Sequence, residues 1–206
     1  MNIIRPALCI LILLGVSSCA TMNKSECQKA DWQVIGLEDG AKGRPVSYIG
    51  NHREACAEHG VKPDLAQYNI GRETGLKQYC TYRKGFSRGR SGYSYNDVCQ
   101  AELQGIFLAG YNRGRELYGL DAEIHHLVSD IKSKKIHLAE VDKEIQWVES
   151  KLISKKGSRI KRANLLDRFK QLQTEQAILE NDIQDLELEA ARKQDAYDAL
   201  ISKQSY

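Results

Sequence analysis

The residues with the widest chemical reach in this chain are its six cysteines, its five histidines and a few acids set beside glycines. His52-x-x-x-Cys56-x-x-His59 has residue types that suit zinc, but it is half a site and nothing nearby completes it. Glu38, Asp39 and Glu73 flank glycines without a base, a nucleophile and an orienting group at recognisable spacing. His125-His126 falls in a helical stretch without an evident partner. The reading is non-enzymatic, with no catalytic residue, metal or cofactor expected. A site assembled from residues far apart in sequence leaves no such trace, and that alternative stays open.

The cysteines follow from the compartment. Arg5, the apolar run from Ala7 to Leu14 and the small residues before Cys19 form a secretion signal. At roughly ten residues the run falls short of the ~20 needed to span a bilayer as a helix. Val16-Ser17-Ser18-Cys19 resembles the bacterial lipobox, with valine where leucine is usual. The resemblance implies removal of residues 1–18 and lipid on Cys19, a firm anchor that needs no membrane-spanning helix. By similarity to Gram-negative sorting rules, Ala20 implies an outer-membrane lipoprotein facing the periplasm.

With Cys9 in the signal and Cys19 assigned to lipid, Cys27, Cys56, Cys80 and Cys99 remain. An even number in an oxidising compartment predicts two disulfides, for which three connectivities exist. Cys27 with Cys56 and Cys80 with Cys99 are preferred, because sequence neighbours close short loops. Thirty Lys and Arg stand against 27 Asp and Glu, so no overall attraction to a polyanion is implied and nucleic acid is not an expected partner.

Three segments place an aromatic shortly before G-x-x-x-G: Trp32 before Gly36 and Gly40, Tyr68 before Gly71 and Gly75, Phe107 before Gly110 and Gly114. The pairs start 35 and then 39 residues apart, the scale of an internal repeat. Glycines four apart share a helix face and let another backbone approach closely. The spacing predicts three helices, roughly 28–42, 64–79 and 97–118, packed through glycine faces with the three aromatics in the core. Each helical glycine costs about 1 kcal/mol against alanine, which the packing must offset. Gly40-Ala41-Lys42-Gly43 is also a candidate helix end.

The ordered runs Asp31-Trp32-x-x-Ile35-Gly36-x-x-Asp39-Gly40-x-x-Gly43, Tyr68-x-x-Gly71-Arg72-x-x-Gly75-Leu76-x-x-Tyr79-Cys80 and Gly89-x-x-Gly92-x-x-Tyr95-x-x-Val98-Cys99 resemble a family of uncharacterised proteobacterial lipoproteins, domain of unknown function 2799. The resemblance spans about residues 19–120. It implies a lipid anchor and an envelope location, and it supplies no catalytic residue.

Between Tyr82 and Tyr95 the chain reads as a glycine-rich loop in which Arg83, Lys84, Arg88 and Arg90 alternate with aromatics, Phe86 among them. Such a surface suits sugars and anions, so peptidoglycan and lipopolysaccharide are the candidate ligands. Charges merely solvated on a pinned loop are the competing reading.

From residue 121 the pattern becomes heptad. Ile124, Ile131, Leu138, Ile145 and Leu152 are seven apart, Leu127, Val141 and Val148 fill the intermediate positions, and Lys134 is the exception. Gly157 breaks the run, and a second seam follows from Leu165 and Phe169 to Leu200. The fold class expected is mainly α: signal 1–18, a small disulfide-stapled, glycine-rich helical domain 19–120, and a long antiparallel coiled-coil hairpin 121–206. Lys151, Lys155, Lys156, Arg159, Lys161 and Arg162 crowd its turn, whereas Glu175 to Asp198 is mainly acidic. The functional expectation is tethering, or association with a protein partner or a second copy, through this hairpin; the alternative is glycan or glycolipid binding by residues 82–95.

Overall fold

The structure is a computed structural model and describes residues 22–154 and 157–203. The signal segment, Cys19, Lys155 and Lys156 lie outside those residues. Every regular element described is helical: α1 (Lys24–Gln28), α2 (Trp32–Ala41), a 3-10 turn (Val46–Tyr48), α3 (Ile49–Ala57), α4 (Leu65–Tyr79), α5 (Tyr82–Arg90), α6 (Ala101–Ile153) and α7 (Arg159–Ser202). By packing, the described residues divide into two compact units, those up to residue 79 with 96–100 and residues 80–95 with those from 101 onward. The boundary expected near residue 121 falls inside α6, which runs unbroken from Ala101 to Ile153.

In the first unit, local chemistry sets the helix starts. Asn23 and Glu26 form a capping box on α1, and the Asp31 carboxylate accepts from the amides of Gln33 and Val34 to start α2. Cys27 is bonded to Cys56, which fastens α1 to α3 across 29 residues and contributes about 3 to 4 kcal/mol by restricting the unfolded chain. Cys80 and Cys99 are also disulfide-bonded. The Cys27–Cys56 bridge sits in a core with Met22, Trp32 and Tyr68.

The glycines act as their spacing predicts, but in pairs of helices. A Cβ placed on Gly36 or Gly40 would lie 2.0 or 2.2 Å from the carbonyl oxygens of Tyr68 and Arg72; one on Gly71 or Gly75 would lie 1.8 or 2.0 Å from those of Gln33 and Leu37. Residue numbers rise together on both helices, so α2 and α4 run parallel, backbone against backbone.

The second unit repeats the device. Gly85 and Gly89 of α5 meet the carbonyls of Phe107 and Tyr111, and Gly110 and Gly114 of α6 meet those of Tyr82 and Phe86. Even the ends correspond: α2 and α5 both close with a glycine at positive φ, Gly43 at 69° and Gly92 at 74°, seated against the rings of Tyr79 and Tyr118. The chain thus carries two copies of one motif, a glycine-zippered parallel helix pair.

Two expectations are corrected here. The three-helix glycine core is four helices paired two and two, and residues 82–90 are a helix rather than loop. Thr81 caps α5 by accepting from the Lys84 amide, and the close contact with α6 offsets the poor intrinsic propensity of Gly85 and Gly89.

Beyond Tyr118, α6 continues and α7 returns antiparallel along it. Val141, Val148, Leu172 and Leu179 fill the seam, with Leu138, Ile145, Leu152, Leu165 and Phe169 packed against them. Flanking pairs fix the register: Glu123 with Lys193 at 2.6 Å, Lys135 with Glu187 at 2.6 Å, and a two-pronged Arg168–Glu144 pair at 2.7 and 2.8 Å. Lys134, the break in the heptad, reaches Asp182 at 2.7 Å.

Candidate functional site

Three places qualify by residue type. The first lies in unit one, where Asp39, on the buried face of α2 beside Gly40, accepts from two other elements. His52 Nε2 of α3 is 2.7 Å from its Oδ2, and the Tyr68 hydroxyl of α4 donates to the same oxygen at 2.9 Å. Arg44 Nε lies 3.5 Å from Oδ1, with its guanidinium 3.7 Å over the Tyr48 ring. Burial alone would raise the Asp39 pKa, but the hydrogen bonds from His52 and Tyr68 and the charges of His52 and Arg44 outweigh it, and the net shift is downward. Burial and the bond to the carboxylate push the Tyr68 hydroxyl upward.

An aspartate on a histidine resembles an acid–base pair, and both line a cleft of about 830 Å³ together with Lys42, Arg44 and Tyr48. His52 Nδ1 is buried and has no hydrogen-bond partner among the described residues, so the polar contact of the ring is the one to Asp39. The arrangement is a polar clamp joining α2, α3 and α4. It also disposes of the half metal motif: Cys56 is in the disulfide and His52 is on Asp39. Glu38 and Glu73, the other acids singled out by their glycines, are exposed.

The second place is the cationic face of α5. Arg83 and Lys84 are exposed and Phe86 is half-buried. Arg88 turns back on its own loop, donating to the Ser94 carbonyl at 3.2 Å with its guanidinium 4.6 Å over the Tyr93 ring. Arg90 bonds the Tyr197 hydroxyl of α7 and lies 3.6 Å from Asp121 of α6. Arg88 and Arg90 thus make contacts that tie α5 to its neighbours, while Arg83 and Lys84 keep their charges at the surface.

The third place is the hairpin end. Lys151 closes α6, and Arg159 and Arg162 open α7 together with Lys161; all four are exposed. Among the described residues none of them makes an ion pair. A cleft of about 530 Å³ opens between the arms, bounded by Trp147, Lys151, Lys161, Arg162 and Leu165. The cations stand out in the sequence, whereas the exposed apolar side chains among them were missed: Trp147, Ile153 and Ile160 are 55%, 82% and 74% exposed. The signal was present, since Trp147 and Ile153 fall off the heptad seam that holds Val148 and Leu152.

Residues 31–116 match the model of a family described as "Protein of unknown function (DUF2799)". That stretch begins at the cap of α2 and ends inside α6, so it takes in both glycine-zippered pairs and stops before the hairpin. Neither the curated proteins nor the solved structures contain a match to this chain.

Proposed function

We propose from sequence and geometry that this protein, whose residues 31–116 match a family model of unknown function, is a lipid-anchored, non-enzymatic tether of the bacterial envelope. Lipid on Cys19 fixes one end, and the hairpin presents the other. The observation that carries the reading is the continuity of α6. One helix of 53 residues starts with its glycines locked on α5 and ends at the cationic tip. From Gly119 to Ile153 it extends about 50 Å at 1.5 Å per residue. Buried seam residues and cross-arm pairs accompany it, so the tip is held at a set distance from the α5–α6 glycine contacts.

Reach is the property to test. Deleting one heptad from each arm, residues 131–137 and 179–185, retracts the tip by about 10 Å while keeping the seam in phase. A photocrosslinker at Lys151 or Arg162 should trap a discrete target in cells carrying the full-length hairpin and lose it in the shortened one. Equal capture by both forms contradicts tethering.

A further inference from the structure

We propose that the hairpin tip docks on an anionic lipid surface, an inference that rests on the tether reading and names what the tip reaches. Its residues fall into layers. Ile153 is the last residue of α6 and Ile160 the second of α7, and both are more exposed than any other large apolar side chain described. They flank the turn, at the ends of the two described arms. Six residues back along α6, about 9 Å at 1.5 Å per residue, stands Trp147, with the Lys151 ammonium 5.5 Å over its ring. Isoleucine outermost, with tryptophan and lysine one to two turns behind, matches a bilayer. An apolar wedge enters the outer 5–10 Å, while indole and ammonium rest among headgroups.

Charge specifies the lipid. Between residues 147 and 165 the described cations are Lys151, Arg159, Lys161 and Arg162, and the single acid is Glu149. Three of the four crowd the first turn of α7, which contains no acid to offset them. Cations at that end oppose the helix dipole, so helix stability does not account for them. An anionic headgroup layer relieves the repulsion. The shaft behind is acidic, with Glu175, Glu180, Asp182, Asp185, Glu187 and Glu189, so only the end is attracted to such a surface.

The test uses residues 20–206, which contain every described residue but lack the acyl anchor. Vesicles are phosphatidylcholine alone or with about 30% phosphatidylglycerol, which gives a surface that attracts juxtamembrane cations. Flotation should show at least tenfold tighter binding to the anionic vesicles. The Lys161→Glu/Arg162→Glu double variant should lose that preference. Brominated acyl chains should quench Trp147, and Ile153→Ser/Ile160→Ser should abolish the quenching; these are exposed positions, so helicity should be unchanged. Equal binding to both vesicles, wild-type binding by either double variant, or no binding at all overturns the proposal. Failure on vesicles with a protein still trapped by tip crosslinkers removes the lipid target and leaves the tether. Vesicle binding with capture in cells indifferent to hairpin length upholds the lipid site and removes the tether.

Discussion

Replacing Gly71 by alanine tests the central packing device. In an exposed helix the change should stabilise by about 1 kcal/mol, because glycine is the poorer helix former. Here the new Cβ would stand 1.8 Å from the Gln33 carbonyl oxygen and 2.9 Å from the Leu37 nitrogen. The obstacle is backbone held in a helix, so no side chain can swing aside. To restore an ordinary contact the two axes must part by about 1.5 Å, which also opens the contacts at Gly36, Gly40 and Gly75. Overpacking of this kind costs about 3 kcal/mol, which after the propensity gain leaves a net loss of about 2 kcal/mol. For a chain of 206 residues that lowers the midpoint of thermal unfolding by about 4 to 8 °C. Gly105→Ala is the matched control: it too is helical, but a Cβ there meets nothing within 4 Å, so it should raise the midpoint by about 2 to 4 °C. Circular dichroism melts of the two variants suffice. A neutral or stabilising Gly71→Ala, or a destabilising Gly105→Ala, would refute the argument that these glycines serve backbone contact.

The buried clamp predicts an acid limb. Since the Asp39 pKa is lower in the folded chain than in the unfolded one, its stabilisation is complete above the unfolded value near 3.8 and is lost as pH falls through the folded value; Asp39→Asn should cost about 1 to 3 kcal/mol at neutral pH and flatten that limb in urea titrations taken from pH 7 to 3. Cys27→Ser with Cys56→Ser should lower stability by about 3 to 4 kcal/mol, read as an earlier urea midpoint, and an unchanged midpoint would show that the link restrains nothing. Lys134→Leu should raise hairpin stability by about 1 kcal/mol, because the seam gains an apolar layer, and should loosen the preference for a single register; cross-arm disulfide trapping at alternative registers measures the second effect.

Much of this architecture was readable because its determinants are periodic. Heptads located both arms and the turn, and G-x-x-x-G located three of the four zippered helices. The fourth was missed for a physical reason. Gly85 and Gly89 stand among Arg83, Lys84, Ser87, Arg88 and Arg90, a composition that reads as solvated loop, and the feature that makes the stretch helical is the carbonyl face of α6, a tertiary contact. The clamp was less legible still. Asp39 lies 13 residues from His52 and 29 from Tyr68, and no local spacing joins them. One clue was available: three residues after Gly36 and one before Gly40, Asp39 shares the helix face that the glycines mark for burial, and a carboxylate there requires partners.

The two copies of the zippered pair differ in a way that separates support from action. In the first copy α4 ends at Tyr79, the ring on which Gly43 sits; in the second, Tyr118 holds the same place under Gly92, but α6 runs on for another 35 residues. Asp39 also has no counterpart in kind, because Arg88 occupies the position before the second glycine of α5 and turns back to Ser94 and Tyr93 of the following loop. The first copy therefore invests its buried polar chemistry in a clamp that fixes three helices. The second uses its arginines to tie α5 to the base of the hairpin, through Arg90 to Tyr197 and Asp121. An arm rooted by a backbone-tight helix pair at its base and braced by cross-arm ion pairs along its length can transmit position without a hinge. On the tether reading, the glycine module is the mount, and specificity belongs to the few side chains at the far end.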